Sequence, residues 1–366
     1  MKKNKKKIFS TYVHIPFCEK KCHYCSFLSF ENLNLKSQYL ETLLMDIKKN
    51  YDKTPQKTLY IGGGTPSVLE ISEIEKLINC FNFKKNPEIT IEVNPKSANK
   101  NYLKELRKIG INRLSIGVQS FNDDILNSIG RLHNSACAIK TIENAKSAGF
   151  ENISIDLMYG LPNQTLKIWE ETLDIANSLD IQHISLYGLK IEHGSKFYKK
   201  TPKNLPDDDL QEIMFKTAIK KLKKFKRYEI SNFAISKKFQ GVHNLNYWHL
   251  GLYNAFGLGA SGYNECGRYK KEEKLEKYIK EPKIKKEKRT KIDELNEEII
   301  IAFRLTEGIN TNYINKKFDI NFEEKYSDIL NKYITSKHIK KTKNGFCLTT
   351  KGLLVSNYIL SDFLIY

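Results

Sequence analysis

The residues best suited to chemistry are three cysteines near the start of the chain. Cys18, Cys22 and Cys25 have the spacing C-x-x-x-C-x-x-C. Thiolates are soft ligands that suit iron–sulfur clusters and zinc alike. Iron–sulfur clusters usually have four cysteine ligands, yet Phe27 stands where a nearby fourth cysteine could have been. The triplet therefore predicts a cluster with one open iron, which a small molecule can chelate.

Two other interpretations of the triplet remain. Structural zinc needs four closed ligands, and His14 or His23 could complete such a set. Alternatively, the thiols have no metal and serve only the fold. The remaining cysteines are isolated, and an odd total of seven argues against a disulfide framework, so a reducing cytoplasm is the expected compartment.

The elements that must position the cysteines are strands and helices in alternation. Six apolar runs read as strands: 11–15, 58–61, 89–93, 113–118, 153–157 and 183–189. The helical stretches between them are 37–49, 70–80, 100–109, 136–148 and 168–178. This alternation predicts a parallel α/β sheet, which right-handed crossovers curl into a barrel. Six units fall short of the usual eight, so we predict an incomplete TIM-like (β/α)6 barrel with its site at the C-terminal strand ends.

Glycine and polar motifs fall at those strand ends. Gly62-Gly63-Gly64-Thr65-Pro66 follows the second strand, Glu92 ends the third, and Gln119 follows the fourth. Asp156 lies within the fifth strand. A glycine run lets the backbone approach a ligand closely, and polar side chains are costly to bury without a partner. Their convergence on one edge predicts a shared polar ligand.

The second half of the chain departs from the regular alternation of strands and helices. Residues 228–233 read as a further strand, and the lysine-rich tract 270–291 reads as a solvated linker. The C-terminal part reads as an α-rich, winged-helix-like unit, for which DNA binding is the alternative to docking on the barrel. The predicted divisions are a basic tail 1–10, the barrel 11–235, a segment 236–269, the linker 270–291 and a C-terminal domain 292–366.

Composition limits the class of protein. The chain has 366 residues, 40% of them hydrophobic, which is enough for a large folded core. We see no apolar run long enough to span a bilayer and no signal peptide. The net charge of +19 could suit nucleic acid or an anionic membrane surface. Since the lysines are scattered over every segment, a lysine-rich background is the simpler explanation, and we predict no nucleic-acid partner.

Beyond the triplet, the whole chain resembles a known branch of the radical SAM enzymes. The motifs YVHIPFC, GGGTP, EVNP, GVQSF, DLMYGLPNQT and HISLYGLKIEHG resemble, in order, those of the oxygen-independent coproporphyrinogen III oxidase branch. The resemblance implies a [4Fe–4S] cluster held by the three cysteines. It also implies that the amino and carboxylate groups of S-adenosylmethionine (SAM) bind the open iron. One electron, from a reductant of flavodoxin or ferredoxin type, then cleaves SAM.

The resemblance also implies a set of SAM contacts. Residues 63–65 match the loop that receives the methionine part of SAM, and Glu92 matches the carboxylate that holds it. Asp156 could bond the ribose hydroxyls. The implied contacts are Tyr12, Gly63, Gly64, Thr65, Glu92, Gln119, Arg131 and Asp156.

This branch contains two classes of protein, and two features separate them. The true oxidases resemble one another in a long segment before the cluster and in a fourth cysteine two residues past the third. Here 17 residues precede Cys18, and Phe27 takes the place of the fourth cysteine. Radical SAM heme chaperones of the HemW type lack both features and have an H-N-x-x-Y-W motif.

That motif is complete in this chain, as His243, Asn244, Tyr247 and Trp248. A neutral imidazole is a natural ligand of heme iron, and the two aromatic rings could pack on a porphyrin face. A core histidine with a buried aromatic pair is the alternative. Relatives often have His where this chain has Ser261, which puts heme affinity in question. We expect substitutions at the motif and at the cluster to act additively unless the two sites meet in space.

The resemblance thus implies a cytoplasmic protein, or one peripheral at the membrane, that binds heme and delivers it to respiratory-chain acceptors. A homodimer is compatible with the sequence. The enzymatic alternatives are a coproporphyrinogen III oxidase, which decarboxylates propionates, and a radical SAM enzyme with another substrate.

Overall fold

A nine-stranded sheet forms the centre of the protein, as a computed structural model of residues 7–365 shows. Its strand order is β7-β8-β6-β5-β4-β3-β2-β1-β9. The strands are β1 Ser10–Ile15, β2 Gln56–Gly63, β3 Phe83–Val93, β4 Arg113–Gln119, β5 Ile153–Tyr159, β6 His183–Gly188, β7 Lys226–Arg227, β8 Asn232–Ala234 and β9 Asn254–Phe256.

Helices alternate with the first six strands and continue beyond them. They are α1 Lys36–Asn50, α2 Ile71–Ile78, α3 Lys100–Lys108, α4 Asp123–Ser128, α5 Ser135–Ser147, α6 Leu166–Ser178, α7 Lys196–Lys199, α8 Asp208–Lys221 and α9 Val242–Trp248. Three of these helices, α3, α5 and α6, are capped by the preceding residues Asn99, Asn134 and Thr165, whose side chains each accept a backbone N–H of the first turn.

The predicted fold class is confirmed. Strands β1 to β6 pair in parallel, each with the next along the chain, as an incomplete barrel requires. The prediction of a strand over residues 228–233 is wrong in detail. Residues 228–231 form the connection between two short strands, β7 and β8, and β8 pairs antiparallel with β6. The predicted tail 1–10 lies partly outside the described residues, and Ser10 already belongs to β1.

The two faces of the barrel strands differ in polarity. Ile89 and Ile91 of β3 pack into the outer apolar core under the helices. The alternate residues Thr90 and Glu92 point to the inner face, and Thr90 is paired in register with Arg113. The inner face is thus unusually polar for a packed barrel, because a filled barrel interior is dominated by bulky apolar side chains.

Strand β9 completes the sheet beside the cysteine-bearing strand. It pairs in parallel with β1, with Val13 opposite Phe256. Strand β1 therefore has a neighbour on each side, although β9 comes from the second half of the chain. The turn after β9 packs closely, because Gly257 has φ +99° and a Cβ there would stand 2.5 Å from the carbonyl oxygen of His14.

The prediction of a solvated linker at residues 270–291 is wrong. This part of the chain contains helix α10 Leu275–Lys280 and, with the residues before it, a three-stranded antiparallel sheet of β10 Ser261–Asn264, β11 Gly267–Lys271 and β12 Ile284–Lys286. Leu275 and Tyr278 are buried in the barrel core. The Nζ of Lys271 lies 2.7 Å from a carboxylate oxygen of Asp46 on α1, and both side chains are buried.

The C-terminal part is an α-rich unit around a small antiparallel sheet of order β13-β15-β14. Its helices are α11 Lys291–Arg304, α12 Thr311–Phe318, α13 Phe322–Lys325, α14 Ser327–Thr335, α15 Thr350–Leu354 and α16 Ser356–Asp362, and its strands are β13 Ile309–Asn310, β14 Ile339–Thr342 and β15 Gly345–Leu348. Its apolar core also takes in Phe215 of α8, so the unit docks on the barrel.

Candidate functional site

The cysteine loop follows β1 and lies at the C-terminal ends of the parallel strands. The backbone N–H of Cys18 donates to the carbonyl oxygen of Phe30 at 2.9 Å, and that of His23 to Ile129 at 3.0 Å. Thr65 donates its backbone N–H to Phe17 at 2.8 Å, which joins the loop to the end of β2. The loop is thus held by contacts on several sides, close to the glycine run.

Two of the three thiols contact residues of the predicted SAM set. Thr65 Oγ1 lies 3.5 Å from the sulfur of Cys18, and Arg131 Nη1 lies 3.4 Å from the sulfur of Cys22. Burial raises the pKa of the Cys18 thiol, and it raises the pKa of the Cys25 thiol to about 11. Burial thus favours the protonated form of these two thiols, and metal binding must release their protons.

The glycine run fits tightly between β1 and the cysteine loop. Gly63 has φ +122°, and a Cβ there would stand 2.6 Å from the ring of His14. A Cβ on Gly64 would stand 2.6 Å from the carbonyl oxygen of Phe17 and 3.0 Å from the sulfur of Cys18. Glycine is therefore required at both positions, because the backbone must pass against the cysteine loop.

Glu92 lies on the inner face at the end of β3 and makes two hydrogen bonds. Its carboxylate accepts the hydroxyl of Tyr60 at 2.9 Å and the backbone N–H of Gly63 at 3.0 Å. Burial, with a smaller contribution from the nearby Asp156, raises the pKa of Glu92 to about 7. Within residues 7–365 it forms no ion pair, so a positively charged ligand group would stabilise its charged form.

Asp156 is a second buried carboxylate on the same face, one strand beyond β4. It accepts the hydroxyl of Ser115 at 3.2 Å, and burial raises its pKa to about 6. The serine hydroxyls of Ser185 and Ser115 act in the opposite direction and lower its pKa. Two buried carboxylates with raised pKa values on one face are suited to a cation or to paired hydroxyl groups.

The other predicted contacts lie around these carboxylates. Arg131 Nη2 donates to the carbonyl oxygen of Gly117, and a Cβ on Gly117 would stand 3.1 Å from Gln119 Nε2. Gln119 itself has φ +70°, a left-handed backbone conformation that is rare for a residue with a Cβ. Burial raises the pKa of Tyr12 well above its usual range, and its hydroxyl lies 2.8 Å from His14 Nδ1.

Of the two histidines considered as zinc ligands, His14 has both ring nitrogens engaged and His23 has one. His14 Nε2 lies 2.9 Å from the carbonyl oxygen of Leu28, and His23 Nδ1 lies 3.2 Å from that of Ser128. Among the residues that the structure describes, no three His, Cys, Asp or Glu side chains are arranged to hold one metal ion. A cluster distributes its cysteines over different irons, so its thiols need not converge on one point.

The sequence interpretation missed the residues that support the carboxylates. Tyr60 holds Glu92, and Ser115 holds Asp156. Both supporting residues stand at alternate positions of strands that we read as buried. A polar residue at every second position of a buried strand is the signal that could have identified them.

The H-N-x-x-Y-W motif forms helix α9, which inserts into the opposite end of the barrel. His243 is 1% exposed; its Nδ1 lies 2.8 Å from Thr58 Oγ1, and its Nε2 lies 2.6 Å from the hydroxyl of Tyr247. The backbone N–H groups of Val242 and His243 donate to the carboxylate of Glu88 at 2.9 Å. In this conformation neither ring nitrogen of His243 is free to bind iron, and burial lowers its pKa to about 3.

The remaining motif residues are half-buried. Asn244 lies near the start of α9, and Tyr247 packs edge-on against Tyr253 with ring centroids 4.5 Å apart. The guanidinium of Arg304, the last residue of α11, lies 4.1 Å from the ring centre of Trp248. Ser261, where relatives often have His, is exposed at the start of β10.

No helix among the described residues is long and apolar enough to cross a membrane. The lysine-rich surface includes an exposed edge at β12, where Ile284, Lys285 and Lys286 all face solvent.

The chain matches the radical SAM superfamily over residues 12–176 and the HemN C-terminal domain over residues 290–355. It is 35% identical to the heme chaperone HemW of Bacillus subtilis, over 97% of this chain and 99% of that protein. It is also 35% identical to the heme chaperone HemW of Haemophilus influenzae, over 97% of each chain.

A solved structure has a similar fold. Coproporphyrinogen III oxidase (HemN) from Escherichia coli superposes with a TM-score of 0.86, over 98% of this chain and 90% of that one. The sequence identity is 22%, so this likeness concerns the fold alone.

Proposed function

The chain belongs to the HemW family of radical SAM proteins, and we propose that it is a heme chaperone that binds SAM at an iron–sulfur cluster. Membership of the radical SAM superfamily implies a [4Fe–4S] cluster and SAM. The donor set fits both groups. Three thiols share one loop, and two buried carboxylates with raised pKa values, Glu92 and Asp156, lie on the inner face of the same barrel.

The residues that would hold these groups are those at the C-terminal strand ends. Cys18, Cys22 and Cys25 would bind the cluster, and Glu92 would accept the ammonium group of SAM. Asp156 would bind the ribose hydroxyls. When bound, the cluster supplies one electron to SAM. The chain's own contribution is to fix the two carboxylates with hydrogen bonds and to exclude water by burial.

Heme would bind through the H-N-x-x-Y-W motif. The observation that carries this proposal is the complete motif, with its imidazole kept neutral by burial, in a chain similar over its whole length to named heme chaperones. A neutral imidazole is the form that ligates iron. Because both nitrogens of His243 are engaged in the closed conformation, heme ligation requires α9 to move and its ring to leave Thr58 or Tyr247.

The acceptors of the heme would be respiratory-chain proteins at the membrane. The net charge of +19 supports attraction to the anionic membrane surface where such acceptors lie. The protein would thus be cytoplasmic and peripheral at the membrane, and it would receive electrons from a reductant of flavodoxin or ferredoxin type.

Anaerobic reconstitution followed by heme titration tests this proposal. We expect a Soret band that saturates at one heme per chain and that His243→Ala weakens at least tenfold. His249→Ala is the matched control, because His249 follows α9 directly but is exposed. Incubation of the same sample with coproporphyrinogen III, SAM and a reductant should give no decarboxylated product. Steady turnover without heme binding would instead establish an oxidase.

A further inference from the structure

Tyr60 lies between the two ends of the barrel and contacts both sites. Its hydroxyl donates to Glu92 Oε1 at 2.9 Å. Its ring stacks on the imidazole of His243, with centroids 5.2 Å apart and an interplanar angle of 30°. One side chain therefore connects the carboxylate of the proposed SAM pocket to the imidazole of the proposed heme motif, and the two sites do meet in space.

His243, on which Tyr60 stacks, anchors α9 in the barrel. Besides Tyr60, the ring is held by Thr58 and Tyr247, one at each nitrogen. Iron can reach a ring nitrogen only after the imidazole has left one of these partners and has shifted relative to the Tyr60 ring on which it stacks. Whatever fixes Tyr60 in place therefore opposes the movement that heme binding needs.

The contact with Glu92 determines how firmly Tyr60 is fixed. A ligand ammonium group beside Glu92 keeps the carboxylate charged. Hydrogen bonds to a charged acceptor are shorter and stronger than those to a neutral one. Occupancy of the SAM pocket therefore tightens the hydrogen bond from Tyr60 and, through the rigid ring, the stacking on His243.

We propose that Tyr60 is a positioning residue that couples the two sites, so that SAM holds His243 inside the barrel and weakens heme binding. This inference rests on the proposed function. Because coupling between two binding sites is reciprocal, bound heme must weaken SAM binding by the same factor. The binding of SAM therefore favours release of the heme that the protein carries.

Heme titrations with and without SAM measure this coupling, with the cluster kept oxidised so that SAM is not consumed. We expect SAM to raise the heme Kd of the wild type roughly fivefold or more. Tyr60→Phe keeps the ring on His243 but removes the hydroxyl. The ratio of its heme Kd with SAM to that without SAM should therefore fall to near one. Tyr102→Phe is the control, since it removes a partly buried hydroxyl, bonded to Leu69, that contacts neither site. It should retain the full ratio.

Hydrogen exchange of the α9 amides provides a readout that does not depend on heme. In the wild type, SAM should slow exchange in residues 242–249 about fivefold, and in Tyr60→Phe it should not. Failure of heme to bind, with this protection present, would refute the proposed function but support the coupling. Equal exchange with and without SAM, or a Tyr60→Phe protein that retains the wild-type ratio, would refute the coupling.

Discussion

Replacement of Glu92 by glutamine tests whether this carboxylate serves a cationic ligand. Its pKa of about 7, against an ordinary 4.5, means that the charged form costs up to about 3 kcal/mol at pH 8 without ligand. The folded protein holds this proton more tightly than the unfolded chain, so stability falls as the pH rises from about 4.5 through 7. Glu92→Gln removes that loss, so its ligand-free form should unfold at a higher temperature than the wild type at pH 8.

The same substitution should weaken SAM binding, although it stabilises the ligand-free protein. Loss of one charge-assisted hydrogen bond costs about 1.5–3 kcal/mol, so the Kd of Glu92→Gln at pH 8 should rise roughly 10- to 150-fold. In the wild type, about nine-tenths of Glu92 is charged at pH 8 and about one-tenth at pH 6. The apparent affinity for SAM should therefore fall up to about tenfold from pH 8 to pH 6, because the charged form binds much more tightly than the neutral one.

Calorimetric titration of SAM at pH 6 and pH 8 measures both effects. In the variant, the roughly tenfold change in SAM affinity that Glu92 causes between pH 8 and pH 6 should be absent. Any pH dependence that arises from Asp156 or from SAM itself should remain. Glu105→Gln is a suitable control, since Glu105 is an exposed carboxylate paired with Lys108 on α3. Wild-type affinity in Glu92→Gln, or an unchanged pH dependence, would show that Glu92 serves only the fold.

Three further predictions concern the cluster, the glycine run and the misread linker. Cys22→Ala should lose most of the roughly four irons per chain, measured by iron analysis and reduced-state EPR, whereas Cys80→Ala should retain them. Gly63→Ala should abolish SAM binding, measured by calorimetry, because its Cβ would stand 2.6 Å from His14 in a left-handed backbone conformation; wild-type affinity would contradict the packing described here. Lys271→Met should cost about 3–5 kcal/mol in urea unfolding, since it leaves the buried Asp46 without its cationic partner. Lys270→Met, at a neighbouring and more exposed lysine, should cost less than about 0.5 kcal/mol.

The barrel could be predicted because its signals are local. Each strand is an apolar run beside an amphipathic helix, and the motifs mark the strand ends. The same locality allowed Glu92 and Asp156 to be placed on one edge. Their raised pKa values could not be predicted, because those depend on how deeply neighbouring strands bury them.

The errors arose where distant residues decide the structure. Lys271 reads as one more solvated lysine, yet it pairs with Asp46, 225 residues away along the chain. The motif at His243 identified a set of residues, but the sequence did not predict which way their side chains point. Only the packed structure shows that the imidazole points into the barrel and stacks on Tyr60.

The pairing of β9 with β1 has a consequence for how the protein is made. The strand that leads to the cysteine loop acquires this neighbour only when residues 254–256 have left the ribosome, about 240 residues after Val13. At typical synthesis rates that delay is about 10 to 50 s. During that interval β1 pairs with β2 on one side, and its other side is an edge open to association with other chains. We therefore expect cluster insertion to follow the emergence of residues 254–256, and chains truncated before residue 254 to aggregate rather than accept iron.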